Sequence, residues 1–309
     1  VERCAELIRQ GRHGGEGAAD GSRRGRFLHL VPMHSGEPEH GPPLFLVAGM
    51  FGNVLNLRHL AHLVGQEQPI YGVQARGLFG DHQPHESFEA MARDYLAEIR
   101  QIQPHGPYLL GGFSGGGIAA WEMTRRLLDD GERVALLALL DTRLPSNPEL
   151  TRREKAEMHL ENLRREGPGY VAKWAKRRMR WELEQRRHRD VGEPEPGRFH
   201  DRRIEEAFLR ALGRYQVPRL QDVPVVLFRP ELQPAYRFGS GRQISADRTV
   251  LLEDNGWGAF CDGLRVRVVP GDHDSMVLEP NVRVLANRLS DLARAARHRG
   301  EARMGATGS

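Results

Sequence analysis

Leu110-Gly111-Gly112-Phe113-Ser114-Gly115-Gly116-Gly117 is the stretch on which the reading of this 309-residue chain turns. Gly112 to Gly116 satisfy G-x-S-x-G, and the run lies between a strand candidate, Tyr108–Leu110, and a helix candidate, Ala119–Leu128. A nucleophile elbow turns so sharply between strand and helix that the residues two before and two after the serine must lack bulk. Gly112 and Gly116 meet that condition, Ser114 is then presented at the carboxyl end of a sheet, and the Gly115 amide points into the same site. A phosphate-binding loop is a rival reading of so many glycines, but the G-K-[ST] ending and the spacing of a dinucleotide fingerprint are both missing. A tight glycine turn with a passive serine is the second rival, and the strand-to-helix setting speaks against it.

Outward from the elbow, strand and helix candidates alternate. Upstream lie the apolar run Leu44–Ala48, a helix candidate at Leu55–Val64 and a strand at Ile70–Val73. Ser87 then reads as a helix N-cap, followed by Phe88, Met91, Tyr95 and Ile99 at helical spacing. Downstream, the strand Val134–Leu140 ends at Asp141, and the rhythm breaks. Residues 143–221 offer helices and no convincing strand. Thr151 and Glu154 match a capping box, with Ala156, Leu160 and Leu163 along one face. Tyr170, Trp174 and Trp181 share a second face, and Ile204, Phe208, Ala211 and Tyr215 a third. Strand patterns resume at Val223–Phe228 and Val266–Val269, before a helix rich in Leu and Arg from about Pro280 to His298. No internal repeat is found. The expected class is α/β: a mostly parallel sheet with helices on both faces and a helical layer inserted at about 143–221.

Hydrophobic residues make up 39% of the chain and charged residues 28%, with a mean hydropathy of -0.55, which excludes wholesale disorder but calls for some very polar segments. Residues 11–26, GRHGGEGAADGSRRGR, fit that description and read as a flexible linker, with order expected from Phe27. The longest apolar run, Val134–Leu140, is far below the roughly 18 residues of a membrane span. The opening VERCAELIRQ lacks the apolar core of a signal peptide, and a start at Val1 suggests a piece of something larger. Cys4 and Cys261 are too few for a disulfide framework, so a cytoplasmic protein is expected. The net charge of +4 is local: residues 151–190 carry a surplus of about +6 and the rest about −2, so nucleic acid is not the expected partner. His59 with His62, and His82 with His85, read as solvated pairs and point to no metal.

A serine is a poor nucleophile unless a base takes its proton. In α/β-hydrolases the partners follow in the order Ser, Asp, His, and this chain supplies both. Asp141 ends the strand beyond the elbow strand, which brings a carboxylate to the same end of the sheet. His273 sits in Val269-Pro270-Gly271-Asp272-His273-Asp274-Ser275-Met276, a turn directly after a late strand, where Asp272 and Asp274 read as turn formers. Each alone has an ordinary structural explanation; the three in order point to catalysis. An oxyanion needs two aimed donors, one from Gly115 and one from Val47-Ala48-Gly49-Met50-Phe51-Gly52-Asn53. Met50 is the nominated second donor, with Ala48 and Gly49 as neighbouring alternatives.

PLFLVAGMFGN, GPYLLGGFSGGG, LLALLDT, EDNGWGAF and VPGDHDSM together resemble, in order and spacing, the thioesterase domains that end nonribosomal peptide and polyketide synthases. The resemblance covers about Phe27 to Leu292 and departs at Val47-Ala48-Gly49, where members often carry His-Pro or Pro-rich text. It implies an α/β-hydrolase domain at 27–309 with its lid at about 143–221. The leader at 1–26 would be a linker, with Cys4, Leu7 and Ile8 as the last turns of a preceding carrier domain. The implied reaction passes an acyl chain from the phosphopantetheine thiol of an acyl or peptidyl carrier protein to Ser114, then to water or an internal nucleophile, with no bound cofactor. Ser114, Asp141 and His273 match the family's triad, and Met50 with Gly115 its oxyanion amides. In the lid, Tyr170, Trp174, Trp181 and Phe208 are candidates to line the acyl channel, with ordinary helix packing as the alternative. Lys173, Lys176, Arg177, Arg178 and Arg180 are candidates to meet an acidic carrier, with a solvated face as the alternative. Two other readings stay open: a free-standing editing thioesterase or carboxylesterase, and a non-catalytic module using the basic stretch. A salt-sensitive DNA shift without serine labelling would mark the last.

Overall fold

The computed structural model describes residues 27–36, 41–65, 68–79, 82–145, 148–167, 169, 202–246 and 249–306. The strands β1 (Leu30–His34), β2 (Leu44–Val47), β3 (Ile70–Val73), β4 (Tyr108–Phe113), β5 (Val134–Leu140), β6 (Val225–Pro230) and β10 (Arg265–Val269) form one sheet in the order β1-β3-β2-β4-β5-β6-β10. All neighbours in it are parallel except β1 on β3. The central strands are apolar at every position because both faces are covered. Side chains alternate sides along a strand, so Phe45, Val47, Leu110, Leu137, Leu139 and Leu227 enter one core, while Leu44, Leu46, Leu109, Leu136, Leu140 and Phe228 enter the other.

Helices α2 (Phe88–Ile102) and α3 (Gly116–Asp129) cover the first face, and α1 (Arg58–Gly65) and α6 (Val282–Ala306) the second. The Ser87 hydroxyl accepts the Ala90 amide at 3.2 Å, as its N-cap role requires. The early helix is shorter than its periodicity suggests: Leu55–Leu57 is a 3₁₀ turn and the α-helix begins at Arg58. Among the described residues no helix is long and apolar enough to cross a membrane.

Within 143–221 lie α4 (Arg152–Glu166) and α5 (Arg202–Arg214). The capping box forms, with Thr151 and Glu154 each bonded to the other's backbone amide. The apolar face does not pack as its spacing suggests: Leu160 is 49% exposed and Leu163 38%. The buried side of α4 carries Glu154 and Met158 instead. Met158 packs on Phe238, Ile244 and Val250, from a small antiparallel sheet that sequence patterning did not reveal: β7 (Tyr236–Arg237), β8 (Gln243–Ile244) and β9 (Val250–Leu251). Glu154 accepts Arg242 at 2.7 Å and Ser240 at 3.1 Å, so charge pairing selects which side of α4 turns inward. In α5 the expected face is buried through Ile204, Phe208 and Ala211, while Tyr215, just beyond the helix, donates to Glu122 at 2.9 Å.

The edge strand β1 is held by a polar cluster. Glu98 of α2 accepts the backbone amides of Leu28, His29 and Leu30, and Tyr95 packs against the rings of both His29 and His85. His82 is exposed, His59 and His62 lie on or near the surface, but His85 is only 2% exposed, which corrects the solvated reading of that pair. The physical reason is the fold-back of its loop: Arg76 donates to Gln83 O at 2.8 Å and to Asp94 at 3.1 Å, and His85 Nε2 lies 3.0 Å from the same Asp94 oxygen. Burial lowers the His85 pKa to about 4 against the Asp94 hydrogen bond that opposes it, with Arg76 and His29 adding to the lowering.

A neutral His85 in the folded protein against a protonated one in the unfolded chain makes stability depend on pH. That contribution is complete above the unfolded value of 6.5 and is lost as pH falls through about 4. The melting temperature should therefore drop across this window, and His85→Gln should flatten the drop. An unchanged slope in the variant would show that other groups cause it.

Candidate active site

The turn between β4 and α3 is built by what its residues lack. Ser114 has a left-handed φ of 52°, and its amide donates to Leu140 O at 2.8 Å, which fastens the turn to the end of β5. A Cβ on Gly112 would overlap the Gly116 carbonyl, and one on Gly116 would overlap the carbonyl of Ala48. Both obstacles are backbone and cannot rotate away.

Asp141 follows the last residue of β5, also at a positive φ of 44°, with its amide donating to Phe228 O at 2.7 Å. His273 stands in the turn after β10. That turn is closed by Asp272, which accepts Ser275 N and Oγ at 2.8 and 2.7 Å. The imidazole stacks on Phe113, with centroids 5.1 Å apart. His273 Nδ1 lies 2.7 Å from Asp141 Oδ2, and Nε2 lies 3.1 Å from Ser114 Oγ. With the Nδ1 proton donated to Asp141, Nε2 is left to accept from the serine hydroxyl. Asp141 is 5% exposed. Burial would raise its pKa, but the hydrogen bond and charge of His273, then Asn255 and Arg143, outweigh burial and hold it below the usual carboxylate value.

Beside Ser114 opens a cleft of about 600 Å³, walled by Met50, Phe51, Leu55, Phe113 and His273. Gly49 and Met50 both border it. Ala48 does not remain a candidate oxyanion donor, because its amide donates to Val73 O at 2.9 Å within the sheet. Phe208 does not line this cleft. Its ring sits over Gly115 and edge-on to Phe88 at 5.2 Å, and it borders a separate cavity of about 30 Å³ with Met50, Gly116 and Ile204. Phe208 thus packs α5 against the elbow. Tyr170, Trp174 and Trp181, and the cations Lys173, Lys176, Arg177, Arg178 and Arg180, lie outside the described residues.

Sequence reasoning passed over Asn255 as a site residue, although the Asp254-Asn255-Gly256 turn is visible; its amide Nδ2 donates to Asp141 Oδ1 at 3.1 Å. It also passed over the grouping of His29, His85 and Asp94, whose ligand atoms lie within 4.8 Å of one another. There Arg76 and Arg93 already engage both carboxylate oxygens of Asp94, so guanidinium groups supply the positive charge a metal would bring.

Three comparisons place this geometry among known proteins. The thioesterase domain family model matches residues 42–290. Chondramide synthase cmdD of Chondromyces crocatus is 30% identical over 291 residues, covering 88% of this chain and 7% of that protein. Polyketide synthase PksR of Bacillus subtilis is 39% identical over 116 residues, covering 38% of this chain and 4% of that one. The chain thus spans under a tenth of these curated relatives. Among solved structures, a holo four-domain nonribosomal peptide synthetase, AB3403, bound to AMP and glycine, aligns with a TM-score of 0.60 at 23% identity, over 94% of this chain and 21% of that one. The NocB thioesterase domain in covalent complex with a fluorophosphonate nocardicin G analog aligns with a TM-score of 0.54 at 22% identity, over 87% of this chain and 99% of that one. At these identities the structures establish the fold.

The elbow generates a test. Gly112→Ala and Gly116→Ala should each cost at least about 3 kcal/mol in chemical denaturation, the upper end for overpacking, because backbone must move. Gly213→Ala, in α5 where an added methyl group meets nothing, should be neutral or stabilising by up to about 1 kcal/mol. Similar effects at all three positions would contradict this account of the turn.

Proposed function

The chain belongs to the thioesterase domain family, and from that premise we propose that it releases an acyl chain, polyketide or peptide, from a carrier protein through an acyl-Ser114 intermediate. The observation that carries the reading is the continuous line Ser114 Oγ, His273 and Asp141 at 3.1 and 2.7 Å, opening on the 600 Å³ cleft. As His273 Nε2 takes the hydroxyl proton, Ser114 Oγ bonds to the thioester carbonyl carbon and the carbonyl electrons move to oxygen. The Gly115 and Met50 amides are the donors proposed for that oxyanion. Its collapse breaks the carbon–sulfur bond, and the proton on Nε2 passes to the departing phosphopantetheine thiol of an acyl or peptidyl carrier protein. Water or an internal hydroxyl or amine, deprotonated by the same nitrogen, then attacks the ester, and the proton returns to Ser114 Oγ. Asp141 stays ionised throughout and balances the imidazolium charge.

The synthases among the relatives support placing this activity within a carrier-based assembly, with residues 27–309 as the releasing unit, 143–221 as its lid and 1–26 as the leader. The Ser114 site needs no bound cofactor for this chemistry, and a cytoplasmic location agrees with an acyl donor made on a carrier.

Intact-protein mass after exposure to acyl-pantetheine thioesters should show one acyl group per chain, lost in Ser114→Ala. A fluorophosphonate should label wild type at Ser114 and leave that variant unmodified. Turnover should fall by up to about 10⁶ in Ser114→Ala and by about 10⁴ in Asp141→Asn, where the wrong imidazole tautomer is favoured. Labelling at another serine, or near-normal turnover in Asp141→Asn, would overturn the assignment.

A further inference from the structure

We propose that Asn255 is the positioning residue for the Asp141 carboxylate, an inference that rests on the triad reading above. An aspartate held at one oxygen can still turn about its terminal torsion, which is broad and roughly two-fold. Here Oδ2 is taken by His273 at 2.7 Å, and Oδ1 receives Asn255 Nδ2 at 3.1 Å. The same amide nitrogen lies 3.2 Å from Thr142 O. A side-chain amide has two hydrogens, so one serves the carboxylate and the other the backbone of the next residue. Torsion of the carboxylate is thereby referenced to its own main chain.

The amide is itself held on a rigid loop. Asn255 sits at φ 50° in the left-handed region, which asparagine tolerates better than most residues. Its N–H donates to Leu252 O at 3.2 Å, and its carbonyl accepts Leu144 N at 3.0 Å. Asp254 accepts Gly256 N and Gly258 N, and buried Trp257, its ring tilted against Trp121, donates Nε1 to Thr142 O at 2.9 Å. The loop and the strand end are therefore joined at Asp141, Thr142 and Leu144, although they are more than 100 residues apart in sequence.

The choice of an amide over a cation has a chemical consequence. A guanidinium at Oδ1 would neutralise the carboxylate that must stabilise an imidazolium, whereas a neutral donor orients it and leaves its charge intact. Of the two cations nearby, buried Arg229 is directed elsewhere, donating to Glu253 O at 2.7 Å and Pro230 O at 2.8 Å, while exposed Arg143 acts on Asp141 through its charge.

The test is a double-mutant cycle read by fluorophosphonate inactivation, with the limiting rate, kinact, separated from binding, KI. Asn255→Gly deletes the amide while suiting the positive φ, and Asn255→Asp keeps the size but replaces a donor with an acceptor. Each should lower kinact by about 10- to 100-fold, the range of one hydrogen bond to a charged group, with KI within about twofold. In an Asp141→Asn background either change should cost less than about twofold, because an effect exerted through the carboxylate cannot be lost twice. Equal losses in both backgrounds, a change confined to KI, or kinact within about twofold of wild type would overturn the proposal; if one variant fails to fold, the other decides. Labelling of wild type at Ser114 is run alongside, and its failure would instead refute the triad itself.

Discussion

At the carboxyl end of β4 the backbone has to reverse from strand into helix within a space that admits no side chain two residues before or two residues after Ser114. The carbonyls of Gly116 and Ala48 occupy the places where methyl groups at Gly112 and Gly116 would be. This crowding ties three strands together: Ala48 follows directly on β2, β4 ends in the turn, and β5 accepts the Ser114 amide through Leu140 O. The strained φ at Ser114 is stable because the surroundings over-determine it. Once the turn is placed, the serine hydroxyl stands 3.1 Å from His273 Nε2, and the sheet order brings β5 and then β6 and β10 alongside to meet it.

The second dependence is electrostatic. Placing an ionised carboxylate at the nearly buried Asp141 would be costly without compensation, and the site provides it from three separate parts of the chain. His273 arrives from the turn after β10, Asn255 from the loop before it, and Arg143 from two residues beyond Asp141 itself. The result is a full charge kept in a place where its field acts strongly on one imidazole, with the ring fixed laterally by Phe113. Preorganisation of this kind is established before any substrate arrives.

The region between β5 and β6 follows a different rule. In α5, apolar spacing and burial agree, and Phe208 fastens the helix directly over Gly115. In α4, by contrast, an ion pair, a cap and the apolar contact of Met158 hold the inward side, leaving Leu160 and Leu163 toward solvent.

The alternation of apolar runs and helical spacing, the elbow glycines and the order Ser114, Asp141, His273 were all legible in the chain itself, because each follows from local geometry: period two or 3.6, a turn too tight for Cβ, a residue type at a strand end. Burial of His85, the inward side of α4, the three short strands β7 to β9 and the partnership of Asn255 with Asp141 were not. Each depends on a group distant in sequence: Asp94 and Arg76 for His85, Arg242 for Glu154, and a loop more than 100 residues downstream for Asp141. Strands of two residues carry no period to detect. Local sequence determines where strands end and what chemistry stands there; only the tertiary structure decides which polar groups are removed from water together, since burial is a property of neighbours that spacing along the chain does not encode.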